Sequence, residues 1–153
     1  MASIKIGDKE YNLEFTFAAA EHKQLVQSMF NVTSGAYLIK NGADVEGDDA
    51  SVVASMVNGA SEMVADIPKI CRIAFYAGML ENNPVSEDKA RELMKQYMKE
   101  NKLSFYRLFE DMKRYMEDDG FFDLSGLTEM LQKMGSRAEE QVEKIKDVES
   151  GKK

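Results

Sequence analysis

The sequence is poor in the residues that build disulfide scaffolds, metal centres and most catalytic sites. It contains one cysteine, one histidine, two prolines and no tryptophan among 153 residues. A single cysteine, Cys71, cannot form an intramolecular disulfide and excludes a metal site built from several cysteines. A single histidine, His22, excludes every motif that requires two. With so little proline, long stretches of the chain are free to be helical.

Basic residues are also in short supply. The chain has 20 Lys and Arg against 27 Asp and Glu, which gives a formal net charge of −7. Because phosphate groups are bound by concentrated Lys and Arg, this balance argues against nucleic acid and anionic membranes as partners. No apolar run approaches the roughly 20 residues that cross a bilayer, and residues 1–15 lack the apolar segment of a secretory signal. We therefore expect a soluble, intracellular protein of one domain.

Residues 3–16 have the pattern of a β-hairpin. Apolar residues alternate with polar ones on both sides of a Gly-Asp turn, at Ile4, Ile6, Tyr11, Leu13 and Phe15. Because two strands alone are only marginally stable in water, we expect their apolar face to pack on helices.

Helical periodicity dominates the chain after the hairpin. Thr16 is a candidate N-cap for a first helix that ends near Phe30, with His22 half-buried on its face. A second helical stripe follows a loop predicted at residues 41–49. Pro68 then predicts the start of a separate, central helix, because the first helical turn does not need the N–H that proline lacks.

Further helices complete the predicted fold. Ser86 and Ser104 are candidate N-caps of two helices, Gly120 is placed to end the second in the left-handed conformation, and a last helix follows. We predict a mainly α fold, a helical bundle of about five or six helices with a small N-terminal β-hairpin, in a single domain over residues 1–135. Residues 136–153 are highly charged and predict a frayed helix or disordered tail, or a helix that orders on a partner.

Candidate catalytic and metal-binding groups are isolated in the sequence. His22 has no second histidine or cysteine at ligand spacing, and the apolar setting of Cys71 predicts a buried, inert thiol. Two acidic clusters do not match the EF-hand loop, which needs Gly at its sixth position and Glu at its twelfth. Their members are Asp44, Glu46, Asp48 and Asp49, and Glu117, Asp118, Asp119 and Asp123. We predict no enzyme, no metal and no cofactor; the rival is an enzyme that uses the carboxylates of residues 117–123.

Methionine is the abundant residue, with 11 in the chain. Three successive predicted helices carry methionines as i,i+4 pairs: Met94/Met98, Met112/Met116 and Met130/Met134. Flexible methionine side chains are frequent on surfaces that accept an apolar helix of another protein, and they also fill cores. As a hypothesis, the stripe over residues 94–116 contacts a client polypeptide. Its members are Met94, Met98, Phe105, Phe109, Met112 and Met116.

The opening segment SIKIGDKEYNLEFTFA, residues 3–18, resembles the start of the tail assembly chaperones of long-tailed (siphovirus-type) bacteriophages. Those proteins often begin with Ile-x-Ile-x-Gly-Lys-x-Tyr-x-Leu-x-Phe-x-Phe and continue as a small, acidic, helical domain. Here Asp8 intervenes between Gly7 and Lys9, so the turn is Gly-Asp-Lys rather than Gly-Lys. The remainder of the chain is similar to that family in size, helical character and acidity.

The resemblance implies a function through protein–protein contact. A member of this family binds the tape measure protein, a long apolar helical polypeptide, and keeps it soluble in the host cell cytoplasm until tail tube protein subunits assemble around it. Self-association around the client is also implied. The alternative that the residues leave open is a cellular helical adaptor or regulatory protein that dimerises through the same stripe.

Overall fold

The chain begins with a two-stranded antiparallel sheet. The computed structural model describes residues 1–35, 37 and 49–137, and in it strand β1 (Ala2–Ile6) pairs with strand β2 (Lys9–Leu13). Gly7 in the connecting turn has a φ of 62°, a left-handed conformation that glycine adopts without a steric cost. The predicted mainly α fold with an N-terminal hairpin is confirmed.

Helices make up most of the remaining described residues. They are α1 (Phe17–Ala20), α2 (Lys23–Thr33), α3 (Asp49–Met79), α4 (Glu87–Asn101), α5 (Phe105–Asp118), α6 (Phe121–Leu124) and α7 (residues 127–137). Helix α3 contacts α1, α2, α4, α5 and β2. The core is therefore assembled around α3, and its largest fully buried side chains include Leu13, Phe15, Leu25, Met29, Phe75, Met79, Leu108 and Phe121.

The predicted start of a separate helix at Pro68 is wrong, because Pro68 lies inside the continuous helix α3. Proline has no N–H to donate to the carbonyl of Val64, so it removes one helical hydrogen bond. Ile67, Ile70 and Cys71 around it are all buried in the core. Burial of this face compensates for the missing bond, since tertiary packing supplies most of the stability of protein helices.

The predicted first helix from Thr16 to Phe30 is interrupted, and this prediction is also corrected. The chain leaves the helical conformation after Glu21, and His22 is extended with a ψ of 100°. The Nδ1 atom of His22 accepts a hydrogen bond from the N–H of Leu25 at 3.3 Å, so His22 is the N-cap of α2. Thr16 makes no side-chain capping bond.

The predicted caps of the later helices are confirmed. The hydroxyl of Ser86 accepts a hydrogen bond from the N–H of Lys89 at 3.1 Å, and that of Ser104 does so from the N–H of Arg107 at 3.1 Å. Gly120 follows α5 with a φ of 74°, as predicted for a left-handed helix end.

The predicted last helix is divided in two. Residues 125 and 126 form a turn between α6 and α7, and Gly126 has a φ of 84°. Residues 136 and 137 of the predicted tail belong to α7. The remainder of that tail, residues 138–153, and the predicted loop at residues 41–48 lie outside the described residues.

The hairpin is held on the helical body by its last residues. Phe15 is fully buried, and its backbone N–H donates a hydrogen bond to Oδ2 of Asp119 at 2.9 Å. The N–H of Glu14 donates to the carbonyl of Gly78 at 2.9 Å. The ring of Phe15 lies so close to α3 that a Cβ atom at Gly78 would be 2.8 Å from it. The apolar face of the hairpin thus packs on helices, as expected.

Candidate interaction surface

Most of the predicted client-binding stripe faces the core. Met94, Phe109, Met112 and Met116 are each at most 3% exposed. Helices α4 and α5 both pack on α3, so the apolar side that a partner was expected to cover is covered by the protein itself. A client cannot contact these four side chains while the core is closed.

The other two members of that stripe reach the surface. Met98 is half-buried against the core, and Phe105, at the first position of α5, is 38% exposed. The amphipathic period of α4 and α5 identified the side of each helix that avoids water, but it carries no information about which element covers that side. The predicted site is therefore not assembled as a continuous surface.

The exposed apolar surface lies instead on the first half of α3. We call residues 53–64 of α3 the arm. Val53, Val57 and Val64 are 58%, 61% and 62% exposed, and Met56 is also exposed. The arm is about 17 Å long at the helical rise of 1.5 Å per residue. Large apolar side chains that follow one another along a helix and stay in water are typical of a protein-binding surface.

The arm continues the buried stripe of the same helix. Positions spaced alternately by four and three residues form one line along α3: Val53, Val57, Ala60, Val64, Ile67, Cys71 and Ala74. The first four are exposed and the last three are buried. One helix side therefore passes from the core into solvent without a change in its chemistry.

A second apolar surface surrounds α7. An open groove of about 550 Å³ separates α2 from α7, and its apolar lining is formed by Val26, Phe30, Leu127 and Met130. A second groove of about 430 Å³ includes Phe122 and Leu131. Met130 and Met134, one helical turn apart on α7, are both exposed. This methionine pair, unlike the pair in α5, is available to a partner.

The acidic residues of this helix segment lie away from the valine stripe, because Glu62 is nine residues, or two and a half helical turns, from Val53. Glu62 and Asp66 lie one helical turn apart, and residues 49–66 contain three acidic side chains and no Lys or Arg. Oδ2 of Asp66 accepts a hydrogen bond from the hydroxyl of Tyr37 at 3.0 Å. Burial, this hydrogen bond and the negative charges of Asp66 and Glu62 together raise the pKa of Tyr37 to about 12.

Cys71 and His22 each make contacts within the fold. Cys71 is fully buried, its Sγ lies 3.4 Å from the carbonyl oxygen of Phe105, and burial raises the pKa of its thiol to about 12. A protonated thiol is a poor nucleophile. His22 caps α2 and its ring makes an edge contact with Tyr76, with ring centres 5.6 Å apart.

The carboxylates of residues 117–123 have different surroundings. The side chain of Asp119 is buried beneath the hairpin, where it pairs with the amino group of Met1 and the N–H of Phe15. Glu117, Asp118 and Asp123 are exposed. In the residues that the structure describes, no three His, Cys, Asp or Glu side chains are grouped so that they could hold a metal ion. The role of Asp119 as a hairpin anchor was not visible in the sequence, since its partners are more than 100 residues away.

Comparison with known proteins adds no relative. No family model, curated protein or solved structure matches this chain. Over the described ranges, every helix is too short or too polar to cross a lipid bilayer. The candidate site is thus defined by geometry alone, as the exposed arm and the grooves beside α7.

Proposed function

We propose that this protein is a tail assembly chaperone of a long-tailed bacteriophage. In this proposal it binds an apolar helical segment of the tape measure protein in the host cell cytoplasm and keeps it soluble until tail tube subunits assemble around it. The observation that carries the proposal is the exposed stripe of the arm. Its apolar side chains recur at the i, i+3 or i+4, and i+7 spacing that one helix uses to pack along another.

Binding along the arm would need no chemical step. Covering apolar side chains lowers the free energy by about 25 cal/mol for each Å² removed from water, and the same contact shields the apolar side of the client. The net charge of −7 favours solubility while an apolar surface is open, because like-charged molecules repel one another. The grooves beside α7 offer a further apolar contact for a long client.

The N-terminal segment supports the phage assignment through its resemblance. Residues 3–18 resemble the family pattern, and the Gly-Asp-Lys turn, where the sequence departs from it, lies between β1 and β2. Ile4 pairs with Tyr11 across this turn. The departure from the family pattern therefore lies where a hairpin tolerates it best.

The test is co-expression with a candidate tape measure protein, with solubility of the client as the readout. The variant V53S/V57S/V64S removes the apolar stripe of the arm, and A54S/N58S/A65S makes three changes at other exposed positions of the same helix segment. We expect the first variant to leave the client in the pellet and the second to keep it soluble. Helical circular dichroism checks that both variants fold. Equal solubilisation by both variants would remove the arm from the proposal, and failure of the wild-type chain to solubilise the client would remove the proposal itself.

A further inference from the structure

The exposed stripe of the arm has the spacing and the borders of a surface that pairs helices. Its members follow one another at intervals of four, three and four residues, as the a and d positions of a coiled coil do: Val53, Val57, Ala60 and Val64. The positions beside them are uncharged, and they are Ala54, Met56, Ser61 and Met63. Because each residue turns an α-helix by about 100°, Glu62 and Asp66 lie on the opposite side of α3. A helix packed on the stripe therefore meets no carboxylate of the arm.

We propose that the arm of a second copy of this chain covers the stripe, with the two arms antiparallel. This pairing needs no client, so it goes beyond the proposed function. When Val53 of one copy lies opposite Val64 of the other, Val57 lies opposite Ala60, because both pairs are centred between residues 58 and 59. Valine then faces valine at the ends of the contact and alanine at its centre. Such an alternation of larger and smaller side chains lets two helices pack closely.

The body of the protein argues against the parallel arrangement. The stripe is buried from Ile67 onward, and α5 begins against it, with Sγ of Cys71 3.4 Å from the carbonyl oxygen of Phe105. Paired helices lie only roughly 8–10 Å apart. Parallel arms would bring the two bodies to the same end of the pair, where the elements that cover Cys71 in each copy would occupy the same space. Antiparallel arms place the two bodies at opposite ends.

A second copy has what the stripe requires of a partner, which is an uncharged apolar helix side of the same length. The net charge of −7 on each copy opposes association in general, but the carboxylates of the arms stay outside this contact. An arm is about 17 Å long and a helix about 10 Å wide, so two arms bury less than the roughly 800 Å² per partner of a standard interface. The expected dimer is therefore weak and forms at high protein concentration. A client that uses the same stripe would displace the second copy.

The first test is the mass of the full chain by light scattering over a wide range of protein concentration. We expect a monomer on dilution and a dimer at high concentration. The variant V57S/V64S should raise the dissociation constant about tenfold or more, because it makes the contact less apolar. The matched control N58S/A65S changes the next residue along in each case, both exposed and off the stripe, and should dimerise like the wild-type chain. Circular dichroism checks that both variants fold.

Disulfide trapping tests the register. The native Cys71 is fully buried, so a disulfide between chains reports on an introduced cysteine. Val53→Cys and Val64→Cys are oxidised separately and as a mixture, and the products are separated on a non-reducing gel. Antiparallel arms bring residue 53 of one copy beside residue 64 of the other, so we expect a linked dimer from the mixture and little from either variant alone. Linked dimers from each variant alone would indicate parallel arms and overturn the inference.

The remaining outcomes separate the dimer from the proposed function. A chain that stays monomeric at every concentration, or that dimerises equally in V57S/V64S and N58S/A65S, overturns the inference. Solubilisation of the client by such a chain would leave the proposed function in place. A dimer that V57S/V64S disrupts supports the inference even where the candidate client fails to become soluble.

Discussion

The two halves of α3 present the same apolar stripe to different surroundings. In the second half, Ile67, Cys71 and Ala74 are buried beneath the hairpin and the neighbouring helices, whereas in the arm Val53, Val57 and Val64 remain in water. The helical period and the residue types are continuous across Pro68. An apolar stripe therefore identifies the side of a helix that is unfavourable in water. The packing of the other elements decides whether that side is buried within the chain.

The largest expected effect is on the free energy of unfolding, when one substitution is made in each half of α3. Phe75→Ala empties a fully buried site in the second half of α3 and should lower the free energy of unfolding by about 3–5 kcal/mol. Val57→Ala in the arm should change it by no more than about 0.5 kcal/mol. Urea denaturation followed by circular dichroism measures both values. A large loss for Val57→Ala would mean that the arm is covered within the chain, which contradicts the exposed surface.

A second comparison concerns the methionine pairs. Met112 is 1% exposed in the core, so Met112→Ala should cost about 2–5 kcal/mol of stability. Met130 lies at the surface of α7, and Met130→Ala should change stability by about 0.5 kcal/mol or less. The same denaturation measurement applies to both. A neutral Met112→Ala that also abolished client binding would restore the sequence-based hypothesis for the stripe over residues 94–116.

A glycine pair sharpens the contrast between packed and open helix surfaces. Gly78→Ala would place a Cβ atom 2.8 Å from the ring of Phe15, and the overpacking should cost about 1–3 kcal/mol. Gly135→Ala on α7 meets no atom within 4 Å and should stabilise the chain by about 0.4–1 kcal/mol, because alanine restricts the unfolded chain. Thermal melting of the two variants in parallel should show shifts of opposite sign. Two shifts of the same sign would contradict the close packing of the Phe15 ring against Gly78 of α3.

The smallest effect is a pH dependence at the hairpin turn. Both carboxylate oxygens of Glu100 accept the N–H of Gly7 at 3.0 Å. This bond, followed by the bond from Gln96, holds the pKa of Glu100 below its ordinary value. A lowered pKa contributes stability above the pKa of the unfolded chain, and that contribution is lost as the pH falls through the folded value.

The pH effect is checked by denaturation in neutral and acidic buffer. Relative to Glu100→Gln, the wild-type chain should lose its advantage as the pH falls below the ordinary glutamate range. Glu110→Gln, a change at an exposed position of α5, serves as the control and should follow the wild-type curve. If all three proteins gave parallel curves, the carboxylate of Glu100 would not anchor the turn.

The sequence predicted those elements well whose signals depend only on neighbouring residues. The hairpin forms where Ile4 and Ile6 alternate with polar residues. Ser86 and Ser104 cap their helices, and Gly120 is left-handed after α5. Each depends on the backbone conformation and hydrogen bonds of a few neighbouring residues. The break at His22 was missed because a histidine N-cap is an uncommon signal, and its ring is held by Tyr76, far along the chain.

What the sequence alone determined is the set of sides that avoid water, the acidity, and the scarcity of reactive groups. Only the tertiary structure decided that the side predicted to bind a client, with Met94 and Met112, is covered by α3, while the side carrying Val57 and Val64 is not. The helical period arises within one segment, from 3.6 residues per turn. Burial arises between segments that are distant in the chain, so the same stripe becomes core at one end of a helix and surface at the other.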